Sequence, residues 1–109
     1  MSKMPNKNTP LANGQSLKYK TAIGDAYQII GSDDWFTWLE GEGNTKFYCD
    51  GYPHGYTARR EKRRKKYYWY AYMKKNEVLH KVYMGQSDKL THEHIFKTIP
   101  LKLDDKYYS

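Results

Sequence analysis

Tyr67-Tyr68-Trp69-Tyr70-Ala71-Tyr72-Met73 is the stretch on which the fold turns. Aromatic residues dominate it, and such residues favour a pleated, half-buried strand. Side chains alternate across a strand, so Tyr68, Tyr70 and Tyr72 share one face and Trp69, Ala71 and Met73 the other. The second set is wholly apolar and carries a small residue where a helix can approach, so it is assigned to the core. The tyrosine set then faces outward. Lys74-Lys75-Asn76-Glu77 reads as a turn, and Val78-Leu79-His80-Lys81-Val82-Tyr83-Met84 as the returning strand of a β-hairpin ended by Gly85. In that strand both Val78/His80/Val82/Met84 and Leu79/Lys81/Tyr83 can serve as the inner face, and the register stays open.

Immediately upstream lies the charge. The chain of 109 residues carries a formal net charge of +7. Arg59, Arg60, Lys62, Arg63, Arg64, Lys65 and Lys66 stand against the single acid Glu61, so this run holds nearly all of the excess. A concentrated positive segment favours a polyanionic partner, nucleic acid before membrane. The plain alternative for the run is a solvated loop, or one paired with acids elsewhere. The plain alternative for the tyrosines is a cross-strand ladder that only stabilises the sheet.

Working outward, Ser32 is a helix N-cap followed by Asp33 and Asp34, where the helix dipole favours acids. Trp35, Trp38 and Leu39 have helical spacing, which predicts a short helix over 33–40. Lys46 to Asp50 and Tyr56 to Arg60 read as strands separated by a turn at Gly51, Pro53 and Gly55, the second either continuing through the basic run or breaking at it. Residues 22–31 read as a short strand or a turn of helix. Thr91 caps a second helix bearing Ile95, Phe96 and Ile99, which Pro100 is expected to stop. The expected organisation is a flexible arm over 1–20, one α+β domain over 21–103 and a frayed tail over 104–109. The expected fold is a small three-stranded antiparallel sheet with a long aromatic hairpin, packed by the C-terminal helix and the short preceding one.

The residues offer no catalytic or metal centre. His92 and His94 are two apart, and helical side chains at that spacing diverge. His54 and His80 have no carboxylate orienter nearby in sequence. The single cysteine, Cys49, excludes an intrachain disulfide and reads as buried structure. Gly41-Glu42-Gly43 lacks the rest of a phosphate-cradling loop. No cofactor is expected, and no small-molecule substrate. The absence of an apolar signal core or membrane-length run points to a cytoplasmic, nucleoid-associated protein.

Tyr68-Trp69-Tyr70-Ala71-Tyr72, a turn, Lys81-Val82-Tyr83-Met84-Gly85 and then Leu90-Thr91 resemble a segment near the N-terminus of large bacterial regulators of the MalT-like, LuxR-type class. Thr57-Ala58-Arg59-Arg60-Glu61-Lys62-Arg63 and the Asp33–Glu40 segment fit the same pattern, which spans Ser32 to Ile99. More loosely, the strand–strand–helix order is similar to the three-stranded arm-binding domains of tyrosine recombinases and to the Apetala-type DNA-binding fold. That similarity implies a sheet laid in the major groove, with Trp69 and Ala71 in the core and Tyr70 and Tyr72 toward DNA. Tyrosine stands here where such domains often have arginine, which implies phosphate or shape contacts rather than guanine readout.

The expected function is therefore non-enzymatic binding of duplex DNA by a small bacterial, plasmid or phage regulator or mobile-element accessory factor. The contacting residues would be Arg59, Arg60, Lys62, Arg63, Arg64, Lys65 and Lys66, with Tyr68, Tyr70, Tyr72, Lys74, Lys75 and Lys81. A protein-interaction module using the hairpin edge, as a homodimer or with another chain, is the second expectation. RNA binding by aromatic stacking is the third.

Overall fold

The computed structural model describes residues 9–107. Its elements are β1 (Leu11–Asn13), β2 (Ser16–Thr21), β3 (Gly24–Ile29), α1 (Asp33–Leu39), β4 (Lys46–Cys49), β5 (Tyr56–Arg63), β6 (Lys66–Lys75), β7 (Val78–Gly85) and α2 (Ile99–Tyr107). The seven strands form one sheet in the order β3-β2-β1-β4-β5-β6-β7. Neighbours are antiparallel except β1 and β4, which run parallel.

This corrects the expected three-stranded sheet: the fold is α+β, but the sheet is seven-stranded and mixed. The missing strands lie mostly in the expected N-terminal arm. β1 (Leu11–Asn13) and all but the last residue of β2 (Ser16–Thr21) fall there, and the two-residue link between them turns at Gly14, whose φ of 65° suits glycine. Leu17 and Tyr19 alternate with Lys18 and Lys20, so β2 does carry a period-two signal, but a short one. Residues 1–8 of the expected arm lie outside the described residues. In the segment expected as a frayed tail, α2 continues through 104–107; residues 108 and 109 lie outside the description.

The core occupies one face of the sheet. Phe47, Cys49, Tyr56, Ala58, Trp69, Ala71 and Val82 point into it from β4, β5, β6 and the edge strand β7. Trp35, Trp38 and Leu39 of α1 and Ile99 and Leu103 of α2 close it from above. Packing is largely aromatic, with Trp35 edge-on to Phe47 at 5.5 Å and Phe47 against Trp69 at 5.3 Å between ring centroids. Ser32 caps α1 as its sequence predicts, its Oγ accepting from Trp35 N at 3.2 Å.

Two local irregularities shape the C-terminal half. Trp69 pairs with Gly85 while Tyr70 pairs with Tyr83, so Met84 is an extra residue on β7. Ordinary strand alternation puts Val82 and Met84 on the core side and Leu79, Lys81 and Tyr83 on the opposite face, while the bulge brings the buried Gly85 opposite Trp69. Second, Pro100 does not stop the last helix. A π turn over His94–Thr98 precedes α2, and Ile99 N bonds His94 O, five residues back. Widening the turn there changes the hydrogen-bond register just where proline lacks a donor, and the Pro100 ring is fully buried.

Candidate nucleic-acid interface

Both helices lie on the core face, so the other face of the sheet is open. On β5, β6 and β7 that face carries Thr57, Arg59, Glu61 and Arg63; Lys66, Tyr68, Tyr70, Tyr72 and Lys74; and Leu79, Lys81 and Tyr83. The tyrosines form a half-buried cluster, with Tyr70 and Tyr68 lying 5.6 and 6.0 Å from Tyr83. Cations cover the rings. Lys81 Nζ sits 4.3 Å from the centre of Tyr70, Arg63 lies 5.5 Å from the same ring, and Arg59 lies 5.8 Å from Tyr72. Lys46 of β4 stands beside Arg59 in register.

The basic run is neither a loop nor a simple extension of the sheet. β4 pairs with β5 only as far as Lys46–Arg59, with one further bond from Arg60 N to Thr45 O. β7 pairs with β6 only as far as Gly85–Trp69. The pairs Glu61–Tyr68, Lys62–Tyr67 and Arg63–Lys66 therefore have no strand on either side. They form a two-stranded arm that projects about 10 Å from the sheet at ~3.4 Å per residue. Arg64 and Lys65 make its tip, with Arg64 at a φ of 59°. Lys62, Arg64, Lys65 and Lys66 are exposed and make no ion pair among the described residues.

Glu61, counted in the sequence only as one offsetting acid, is the single acidic side chain on β5, β6 and β7. Its Oε1 accepts from Arg63 Nη2 at 2.7 Å and Lys81 Nζ at 3.1 Å, and its Oε2 accepts from the Tyr72 hydroxyl. The Tyr72 hydrogen bond, with Lys81 and Arg63, holds its carboxyl below the usual carboxylate range. The i, i+2 spacing of Glu61 and Arg63 placed them on one face, but the partners from β6 and β7 had no local signal.

Some of the expected contact residues stand elsewhere. Arg60 points to the core side, where Nη1 donates to Leu39 O at 2.7 Å and Nη2 to Gly41 O at 3.1 Å. It caps the C-terminus of α1 and lies over Tyr67, so it is built into the fold rather than presented outward. Lys62 is on the arm's other side, 5.9 Å from the Tyr67 ring. Lys74 and Lys75 lie at the far end of the ten-residue β6, roughly 27 Å from Lys66 at ~3.3 Å per residue, and do not join the arm. Arg59, Arg63, Lys66, Tyr68, Tyr70, Tyr72 and Lys81 do come together. Tyr83, left open in the sequence, joins them at 53% exposure.

Three histidines are held by contacts within the fold. His92 Nε2 bonds Gly14 O and His94 Nε2 bonds Met84 O, so the two rings diverge. His54 meets a carboxylate that its sequence neighbours lack, with Asp104 of α2 at 2.8 Å. Among the described residues no cluster of three or more His, Cys, Asp or Glu side chains could hold a metal ion, and no helix is long and apolar enough to cross a membrane.

The class defined by this geometry is an α+β protein with one open sheet face and a projecting basic β-ribbon. No protein-family model, curated protein or solved structure matches the chain.

Proposed function

We propose that the protein binds duplex DNA, with the β5–β6 arm entering the major groove and the cations of the open face resting on flanking phosphates. The observation that carries this reading is the arm itself: five consecutive cations, Lys62 to Lys66, at the end of a two-stranded ribbon with no neighbour on either side. A major groove is ~12 Å wide and ~8.5 Å deep and admits a two-stranded ribbon, whereas a ~6 Å minor groove does not. An arm of about 10 Å reaches the groove floor. The seven-stranded sheet, roughly 30 Å across at ~4.8 Å per strand, is too broad to follow it in and stays on the backbone. The setting proposed with it is that of a small bacterial, plasmid or phage regulator or mobile-element accessory factor.

The test is a salt titration of duplex binding by fluorescence anisotropy. Replacing Lys62, Arg64, Lys65 and Lys66 with alanine should flatten the dependence of log K on log salt by up to ~3.6, about 0.9 per lost phosphate contact. A binding curve identical to the native protein's would remove this reading. The exposed Tyr83 beside Tyr68 and Tyr70 favours a second reading, stacking of unpaired RNA or DNA bases. Stronger binding to single strands than to duplex at one salt concentration, with Tyr83→Ala losing most of it, would select that reading instead.

A further inference from the structure

The Glu61 carboxylate is surrounded in a way that a surface acid seldom is. A guanidinium from its own strand, an ammonium from β7 and a phenol from β6 converge on its two oxygens, from Arg63 at 2.7 Å, Lys81 at 3.1 Å and the Tyr72 hydroxyl. The Tyr70 ring, against which Arg63 and Lys81 both lie, holds those two cations in place. Arg59 adds a further positive group over Tyr72. Three donors of these kinds aimed at one pair of anionic oxygens also describe a phosphate site, because a phosphodiester offers two unbridged oxygens to the same donors. The site lies at the root of the arm, where the backbone of a DNA held by the arm tip would pass.

We infer that Arg63, Lys81 and Tyr72 form a cradle for a DNA backbone phosphate, occupied in the free protein by the Glu61 carboxylate, which the phosphate displaces. Glu61 is then an internal competitor. It keeps two cations ordered and partly neutralised until a phosphate replaces it, and it lowers affinity for every polyanion in proportion. Exchange is feasible because the group is at the surface: the side chains of Glu61, Arg63 and Lys81 are 25%, 53% and 38% exposed. This inference rests on the DNA-binding reading for the identity of the phosphate, but the cradle itself can be tested without DNA.

The experiment compares native protein with Glu61→Gln, Glu61→Asp and Glu77→Gln in the same duplex salt titration. Glu61→Gln should bind roughly five- to tenfold more tightly at moderate salt, as expected when two weak surface pairs are released. Its log–log slope should steepen by ~1.8, about 0.9 for each freed cation. Glu61→Asp keeps the charge but withdraws the carboxylate by one methylene, so it should show part of the same steepening. Glu77→Gln makes the same charge change in the β6–β7 turn and should leave the slope unaltered. Adding Arg63→Ala and Lys81→Ala to Glu61→Gln should abolish the gain.

In parallel, inorganic phosphate is titrated into Glu61→Gln and followed by NMR at the Arg63 and Lys81 side chains and the Tyr72 ring. Saturable shifts at these groups, weaker in the native protein, are expected. Equal gains from Glu61→Gln and Glu77→Gln would overturn the cradle, because long-range charge alone would then account for both. A native slope in Glu61→Gln and Glu61→Asp, with no phosphate shifts, would overturn it while leaving DNA binding intact. Phosphate shifts without duplex binding by any form would do the reverse, keeping the cradle and removing the DNA reading.

Discussion

The Trp69 indole N–H donates to Ser87 Oγ at 2.9 Å, and the Ser87 hydroxyl donates onward to Glu40 Oε2 at 3.0 Å. Trp69 is the central core residue of β6, Ser87 lies in the 3-10 turn Ser87–Lys89 after β7, and Glu40 ends α1. One buried serine therefore joins the sheet to the helix above it. Ser87→Ala leaves the indole donor without its partner and should lower unfolding free energy by ~1–3 kcal/mol. Urea denaturation followed by tryptophan fluorescence measures this. An unchanged midpoint would show that water or a shifted neighbour takes over the bond.

Arg60 separates structural from binding charge within one run. Arg60→Ala removes three charge-assisted bonds, to the carbonyls of Leu39 at the end of α1 and of Gly41 and Glu42 just beyond it, and should cost ~1.5–3 kcal/mol. Arg60→Lys should cost nearly as much, since an ammonium cannot reproduce the fork. The salt slope of DNA binding should stay native in both. Arg64→Ala should behave oppositely, with native stability and a flatter slope. A flatter slope for Arg60→Ala would place Arg60 on the DNA after all.

Cys49 should be inert. It is fully buried, its Sγ donates to Ile95 O at 3.4 Å, and burial pushes its thiol up to about 12. The thiolate is the reactive form, so at pH 8 alkylation should run roughly a thousandfold slower than in the urea-unfolded chain, where the thiol is near its ordinary value. Mass spectrometry after timed iodoacetamide exposure reads the rate. Labelling at similar speed in both states would contradict the burial.

Glu61 should titrate below its ordinary value of 4.5, with the Tyr72 hydroxyl the leading cause and Lys81 and Arg63 adding to it. A carboxyl depressed in the folded state contributes stability that is complete above the unfolded value and lost as pH falls through the folded one. Acidification below about 4.5 should therefore loosen the root of the arm while neutral conditions keep it closed. Carboxyl-carbon NMR should give a midpoint under 4.5 in the native protein, moving upward in Tyr72→Phe. A native midpoint at or above the ordinary value would contradict these contacts.

The β6–β7 turn carries Asn76 and Glu77 at φ of 48° and 68°. Both central residues lie in the left-handed region, as a two-residue turn of type I′ demands, and the second position suits glycine. Glu77→Gly should stabilise the protein by ~1 kcal/mol, the relief of a left-handed conformation less the greater freedom of the unfolded chain. Thermal melts would detect it. A loss of stability would mean that the Glu77 side chain makes an offsetting contact.

Much of the central sheet is legible locally. The alternation in 67–73 correctly puts Trp69, Ala71 and Met73 in the core, and the Ser32 cap correctly starts α1. Strand pairing is less accessible. Leu11 and Ala12 lie parallel to Tyr48 and Cys49 across more than thirty residues of intervening chain, and nothing in either tripeptide-length pattern announces the other. Arg60 shows the same limit: its parity on β5 is readable, but the carbonyls it caps come from an element twenty residues away.

By itself the amino-acid order determined the hairpin, the inner and outer faces of β6, the first helix and the density of positive charge, because each depends on spacing within a few residues. Only the tertiary structure decided that the charge becomes a projecting ribbon, that Arg60 leaves it for a helix end, and that Glu61 gathers donors from three strands. Those outcomes depend on where neighbouring strands stop and which distant segments lie beside them. Long-range packing settles that by burying apolar surface, and the local pattern of residues does not encode it.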